Sequence, residues 1–488
     1  MLLKKNNEMI SSKSPSQILN VVLISLYDLG HQPLSIASAA ALLKEYNCNI
    51  EIIELSNLKI AKESIKNAEL ILLSVPMHTA ARMAVKLVPE LRKINSDAHI
   101  SIFGLYALHL QDALDERIID SAISGEFESS LKVLVEELLT NQKEDDRSIN
   151  SWISPKISFE RQIFLTPSRE NLPPLEQYAK MSINNSEKLT GYIETSHGCA
   201  HSCPHCPVTA VYQGKFRIVD KKSILKDVDN LIKIGAEHFT FGDPDFFNAP
   251  KHSLDIASSI KKKYPHITFD ATIKVEHILE HKDLIKKLKD MGFLFIISAF
   301  ESTNNHVLNK LEKGHLFNDM QLAIDICKSS NLIIKPTWIP FTPWMQFSDY
   351  PVLINFIIKN DLMNLISPVQ YGIRLLIPKL STLVSQLNED GISITYSKEK
   401  LTYEWDHLDP NVDILFEEIT NLINKDINTE ELSTNFFDDI YNLVQSKTNN
   451  SMLPYQIINH ETVGSTEDWY CCAEPTNRQI LSVDSILN

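Results

Sequence analysis

The feature that most restricts how this chain can fold is an alternation, in two blocks, of short apolar runs with amphipathic stretches of helical period. In the first block, residues 21–26, 50–55, 70–75, 100–103 and 122–124 read as buried strands, with helices over 33–46, 80–95 and 129–140. Apolar strands separated by helices belong to parallel sheets covered on both faces. The expectation is therefore a doubly wound, Rossmann-like domain over 19–141, behind a flexible polar leader at 1–18. Such sheets bind ligands beyond the carboxyl ends of their strands.

From 142 to 188 the pattern dissolves around Pro155, Pro167, Pro173 and Pro174, the composition of a linker. Alternation then resumes, with strands expected at 192–195, 238–241, 268–273, 293–299, 333–339 and 369–377, and helices at 222–234, 281–291 and 319–329. Six such units over 189–380 suit a partial (β/α)6 TIM-type barrel, whose chemistry lies at the C-terminal strand ends. Residues 381–488 read as a helical, acidic extension that becomes loop-like around Cys471. The fold class is thus α/β throughout.

Composition narrows the functions. A length of 488 residues calls for two or three domains, and 43% hydrophobic with 22% charged residues is ordinary for globular chains. The net charge of -15 argues against nucleic acid as a partner, because phosphate contact needs clustered Lys and Arg. No run approaches the roughly 18 apolar residues of a membrane span, and the N-terminus lacks a secretory apolar stretch, so the expected compartment is the cytoplasm. The seven cysteines suit metal or thiol chemistry better than cross-linking. Three fall at Cys199, Cys203 and Cys206, two are adjacent at Cys471 and Cys472, and Cys48 and Cys327 stand apart.

The triplet has the spacing C-x3-C-x2-C on a loop just past an expected strand. Three thiolates so placed can ligate three irons of a cubane cluster, and with four ligands the norm, one iron stays open to substrate or cofactor. Zinc held by the three cysteines and one of His197, His201 or His205 is the alternative that spacing leaves standing.

A C-x3-C-x2-C loop after the first barrel strand resembles the signature of the radical S-adenosylmethionine (SAM) superfamily. The resemblance covers about 192–378 and implies a [4Fe–4S] cluster whose open iron chelates the amino and carboxylate groups of SAM. One electron from the cluster then breaks a carbon–sulfur bond homolytically, with a flavodoxin or ferredoxin as electron donor and a small molecule as substrate. His205 stands where the family often has an aromatic residue. The segment from Phe241 to Asn248 is similar to the region that binds the methionine amino group, which makes Asp243 or Asp245 the candidate acceptor. Lys274 and Glu276 follow the third strand. Glu301 and Ser302, followed by 308–314, resemble the fourth-strand segment that meets ribose or carboxylate. Residues 339–343 match the position that packs on adenine. Arg374, a charge inside an apolar run, needs a carboxylate from cofactor, substrate or the chain itself.

The front block resembles the cobalamin-binding domain that precedes many radical SAM barrels, through 74–79 and 124–128. It lacks Asp-x-His-x-x-Gly, and the turn after its fourth strand has one glycine, Gly104, where backbone has to approach a large ligand. Cobalamin is accordingly an open question, and His31, His78 and His109 read as surface or strand-end residues instead of cobalt ligands.

The tail, Trp469 to Pro475, resembles that of a radical SAM group ending in Cys-Cys-Ala-Glu-Pro, in which selenocysteine replaces the second cysteine of some members. This implies a nucleophilic or soft-metal role for Cys471 and Cys472. A related activity forms a carbon–arsenic bond in arsinothricin synthesis, using a 3-amino-3-carboxypropyl radical from SAM. Two further functions stand beside it: a cobalamin-dependent radical SAM methyltransferase, and a non-catalytic zinc-binding or cobalamin-sensing module.

Overall fold

The computed structural model describes residues 18–55, 62–140, 156–158, 163–184, 186–428, 436–448, 452–456, 463–467, 474–475 and 479. Cys471 and Cys472 lie outside the described residues.

The front domain is built on a parallel sheet of β1 (Leu19–Ser25), β2 (Cys48–Glu54), β3 (Leu70–Ser74), β4 (His99–Phe103), β5 (Ser121–Gly125) and β6 (Lys156–Ser158). Their spatial order is β2-β1-β3-β4-β5-β6. Successive side chains of a strand face opposite sides, and the apolar runs use both. Val21, Leu23, Leu70 and Leu72 pack with the helices Leu34–Leu43 and Glu128–Leu139. Val22, Ile24, Ile71 and Leu73 pack with the helix His78–Ile94. This is the doubly wound sheet expected, extended by one strand from within the stretch read as linker.

The second sheet contains β7 (Lys180–Ile183), β8 (Ser186–Ile193), β11 (His238–Phe241), β12 (Thr268–Thr272), β13 (Phe293–Glu301), β14 (Ile333–Trp338) and β17 (Val463–Ser465). Five of them, β8-β11-β12-β13-β14, run parallel as a curled half-barrel, while β7 and β17 add an antiparallel edge beside β8. Phe239, Phe241, Phe269 and Phe293 pack its interior with the helices Lys221–Lys233, Pro250–Lys263 and Lys282–Asp290. Two antiparallel hairpins decorate it: β9 (Ser196–Gly198) with β10 (Phe216–Ile218), and β15 (Ile394–Ser397) with β16 (Thr402–Trp405).

The sixth expected barrel strand, 369–377, does not form. It begins as a 3-10 turn, Pro368–Tyr371, and then touches the barrel through one parallel bridge between Phe341 and Arg374. Pro368 opens that turn, and Gly372 ends it. The extension follows, with the helices Pro410–Asn428 and Phe436–Lys447 covering the barrel flank through Val412, Leu415, Ile419, Ile440 and Val444. No described helix is long and apolar enough to cross a membrane.

Candidate functional site

The cysteine loop leaves the C-terminal end of β8 and is pinned at its base by the β9–β10 hairpin. Gly198, one residue before Cys199, has φ +80, and a Cβ there would lie 2.6 Å from the Lys215 carbonyl oxygen and 2.5 Å from the Tyr212 ring. Only glycine allows the chain to turn so closely into the loop. Cys203 is buried, and Cys199 and Cys206 are partly exposed. The three thiols perturb one another electrostatically, which places them together. Burial pushes Cys199 up to about 11 and Cys206 up to about 12. Such thiols keep their protons at neutral pH until a metal cation replaces them. The other described cysteines, Cys48 and Cys327, sit in β2 and in the helix Phe317–Ser329. The donor set therefore fits a cluster with three thiolates from one loop.

Asp243, past β11, fixes how the loop departs. It accepts from the Thr195 backbone N–H at 2.8 Å, the Thr195 hydroxyl at 2.6 Å and the Ser196 hydroxyl at 2.7 Å. Burial pushes its carboxyl up to about 6, against these three donors. Both its oxygens are thus engaged by the chain, so Asp243 works as a clamp on the loop. Asp245 differs. Its Oδ1 accepts from the Phe247 N–H at 2.9 Å, while its buried Oδ2 has no hydrogen-bond partner and faces His277 and His201.

Opposite lies a second charged group. Glu301 ends β13 in the left-handed region, φ +64, where the pairing with β14 shifts register. Such strain in a non-glycine residue is held by its surroundings. Its carboxylate takes the Lys313 ammonium at 2.9 Å and approaches His205 Nε2 at 3.6 Å. Burial works against the charged carboxylate, but Lys313 and His205 overcome it and hold Glu301 down at about 2. Lys313 in turn is felt by Cys203 and Cys206, so a buried cation stands beside the cluster thiols. Lys274 pairs with Glu276 at 3.1 Å, and the Ser302 hydroxyl accepts from the Asn304 N–H at 3.1 Å. The hydroxyls of Ser298 and Thr342 are buried near strand ends without a partner. A bound polar cofactor would satisfy such groups.

Arg374, a cofactor-binding candidate in the sequence, takes the internal partner that the sequence left open. Its guanidinium stacks 3.7 Å over the Trp405 ring, donates to Asp413 at 2.8 Å and reaches the Trp405 carbonyl. Its carboxylate comes from the chain itself, and the residue ties the barrel to the extension. His78 and His109 are also not surface residues: both are buried, and burial lowers His109 to about 4.

Sequence reasoning also missed three groups. Lys313 lies inside the segment 308–314, where the positive-φ Gly314 after it marks a tight turn. His277 sits one turn beyond Lys274 on the short helix Val275–Glu280. The third is the joint between domains. Glu126, past β5, meets His197 Nδ1 at 3.1 Å and the Tyr212 hydroxyl at 3.0 Å, so the front domain grips the strand entering the cysteine loop. Arg169 reinforces the joint, bonding Asp227 at 2.8 Å, Gln32 at 2.9 Å and the Tyr192 carbonyl at 2.9 Å. From the tail, Glu467 takes a hydrogen bond from Tyr27 at 2.6 Å, and Glu474 lies 3.4 Å from His78 and pairs with Arg82. Past β4, Gly104 packs against Val75, whose carbonyl oxygen a Cβ would meet at 3.0 Å.

Residues 193–339 match the family described as the Radical SAM superfamily. This segment is a radical SAM domain. Such a domain implies a [4Fe–4S] cluster and SAM. The chain is 26% identical over 210 residues to a bacteriochlorophyllide d C-8(2)-methyltransferase of Chlorobaculum tepidum, covering 40% of this chain and 46% of that protein. It is 22% identical over 134 residues to a hopanoid C-2 methylase of Rhodopseudomonas palustris, covering 27% and 25%. The chain thus spans less than half the length of these curated relatives. Among solved structures, the cobalamin-dependent SAM radical enzyme OxsB with aqua-cobalamin bound superposes with a TM-score of 0.64 at 15% identity, covering 88% of this chain and 71% of that one. The radical SAM methyltransferase TsrM from Kitasatospora setae, with cobalamin and a [4Fe–4S] cluster bound, gives 0.56 at 14% identity, covering 71% of each. At such identities the likeness is one of fold: a doubly wound front domain followed by a radical SAM barrel.

Proposed function

We propose that this chain is a radical SAM transferase, in which Cys199, Cys203 and Cys206 hold the cluster and a carbon group of SAM passes to a small-molecule acceptor. The observation that carries this reading is the cysteine loop at the end of β8, three thiols gathered beside a buried lysine. Bound there, the cluster supplies the electron that breaks one carbon–sulfur bond of SAM, and a flavodoxin or ferredoxin restores it. The chain's own part is to orient and to exclude water. Asp243 fixes the loop, Glu301 and Lys313 set the charge around the thiols, and the front domain covers the loop through Glu126.

For the group transferred, our reading is 3-amino-3-carboxypropyl, delivered to a soft acceptor such as trivalent arsenic. It is supported by the resemblance of the tail and by Glu474, which attaches that tail to the front domain at His78 and Arg82. A second reading, cobalamin-dependent methyl transfer, is supported by the methyl-transfer names of the relatives, by the cobalamin named for the similar solved structures, and by the buried nitrogens of His109, which have no hydrogen-bond partner and suit a polar ligand.

Anaerobic incubation with dithionite, SAM and arsenite, with mass spectrometry of the products, tests both. Methylthioadenosine supports the first reading. S-adenosylhomocysteine or 5'-deoxyadenosine, dependent on added cobalamin, supports the second. Zinc without sulfide in the purified protein overturns the transferase altogether.

A further inference from the structure

Beside the cysteine loop, three side chains from three different segments converge: His201 from the loop, Asp245 from the turn after β11, and His277 from the helix Val275–Glu280. One ligand atom from each, His201 Nε2, Asp245 Oδ2 and His277 Nδ1, is buried without a hydrogen-bond partner, and the three atoms lie within 4.8 Å of one another. Asp245 is 2% exposed. His277 Nδ1 is ion-paired with Asp245 Oδ2 at 2.8 Å, and Asp245 raises the pKa of that imidazole against the opposing effect of burial, while His201 Nε2 faces the same oxygen at 3.7 Å without a partner of its own, so one buried carboxylate oxygen gathers two ring nitrogens.

We infer that His201, Asp245 and His277 form a site for a divalent transition cation, such as zinc or ferrous iron, adjoining the cluster loop. Two nitrogens and one carboxylate oxygen are the donor set for such ions, and three protein ligands leave positions for water or a substrate atom. With metal–ligand bonds of about 2.0–2.2 Å, tetrahedral ligand atoms stand about 3.3 Å apart. The Asp245–His277 and Asp245–His201 separations of 2.8 Å and 3.7 Å bracket that value, and all three atoms lie within 4.8 Å of one another.

The surroundings hold the ligands as metal ligands are held. The other oxygen of Asp245 accepts from the Phe247 N–H, and the other nitrogen of His201 faces Glu276 at 3.7 Å. A ligand's far atom engaged by the chain fixes which atom faces the metal. Lys274, paired with Glu276, is the nearby competing cation, yet it leaves Asp245 Oδ2 to the two histidines. At that oxygen the cation replaces the amino-group contact that the resemblance implies for Asp245.

The test uses the full chain carrying Cys471→Ser and Cys472→Ser, which removes the tail thiols as zinc ligands. After anaerobic loading with iron and sulfide, it is titrated with zinc, and iron, sulfide and zinc are measured on the desalted protein. One zinc beyond the cluster metal is expected. His277→Ala weakens zinc binding by about tenfold or more with sulfide content unchanged. His277→Gln, which preserves volume, does the same if the alanine variant folds poorly. Cobalt in place of zinc gives ligand-field bands that both variants lose. Zinc bound equally well without His277, or no zinc beyond the cluster metal, overturns the inference.

Discussion

Replacing Lys313 by methionine asks directly whether the buried pair with Glu301 organises the site. The two residues are 4% and 6% exposed, and their charged atoms lie 2.9 Å apart. Methionine keeps the length and apolar stem but strands a buried carboxylate, which costs about 3–5 kcal/mol. For an unfolding unit of barrel size, each kcal/mol moves the melting temperature by about 2–4 °C, so the variant melts roughly 6–20 °C lower. The assay is an anaerobic thermal melt followed by circular dichroism, on apoprotein and cluster-loaded protein. The double variant Glu301→Gln with Lys313→Met removes both charges and regains half or more of the loss, since the penalty belongs to the unpaired partner. The same substitution removes a positive charge beside Cys203 and Cys206, so less of the cluster is reduced at a fixed dithionite concentration, read from its paramagnetic signal. A single variant that melts like the parent, or a double variant no better than the single, refutes the reasoning.

Changing any one of Cys199, Cys203 and Cys206 to alanine is expected to cut bound iron and sulfide sharply and to abolish SAM cleavage, whereas Cys327→Ala keeps both. Asp243→Ala leaves the Thr195 and Ser196 donors unmatched, costs about 3 kcal/mol, and is expected to speed loss of the cluster during anaerobic dialysis. His109, whose value falls from 6.5 unfolded to about 4 folded through burial, is neutral in the folded chain. Between those values the unfolded state binds more protons, so acidification from pH 6.5 to 4 removes about 3 kcal/mol from the front domain. His109→Phe flattens that dependence in melts taken across the same range, and an unchanged slope shows the burial argument to be wrong.

The front sheet is legible because strands such as β3, within the apolar run 70–75, are apolar on both faces, a pattern that survives without knowledge of contacts. The barrel strand β11, 238–241, alternates instead, with Phe239 and Phe241 on one face and His238 and Thr240 bonded to Asp270 on the other. The edge strands were not legible. β7, β6 and β17 are short, carry mixed polarity, and exist because a neighbouring sheet offers backbone partners. Residues 369–377 differ in the opposite direction: the apolar run has the pattern of a strand, while Pro368 and the stacking of Arg374 on Trp405 turn it into an irregular wall. Within the site, the cysteine loop was visible from spacing. The difference between Asp243 and Asp245 was not, since it depends on which carboxylate the Thr195 and Ser196 donors reach. Lys313 was hidden for the same reason, because its importance arises from Glu301 across a turn.

The grip of Glu126 on His197 and Tyr212 has a mechanical consequence. His197 is two residues from Cys199, so a displacement of the C-terminal end of β5 is passed through two side-chain contacts to the base of the cysteine loop.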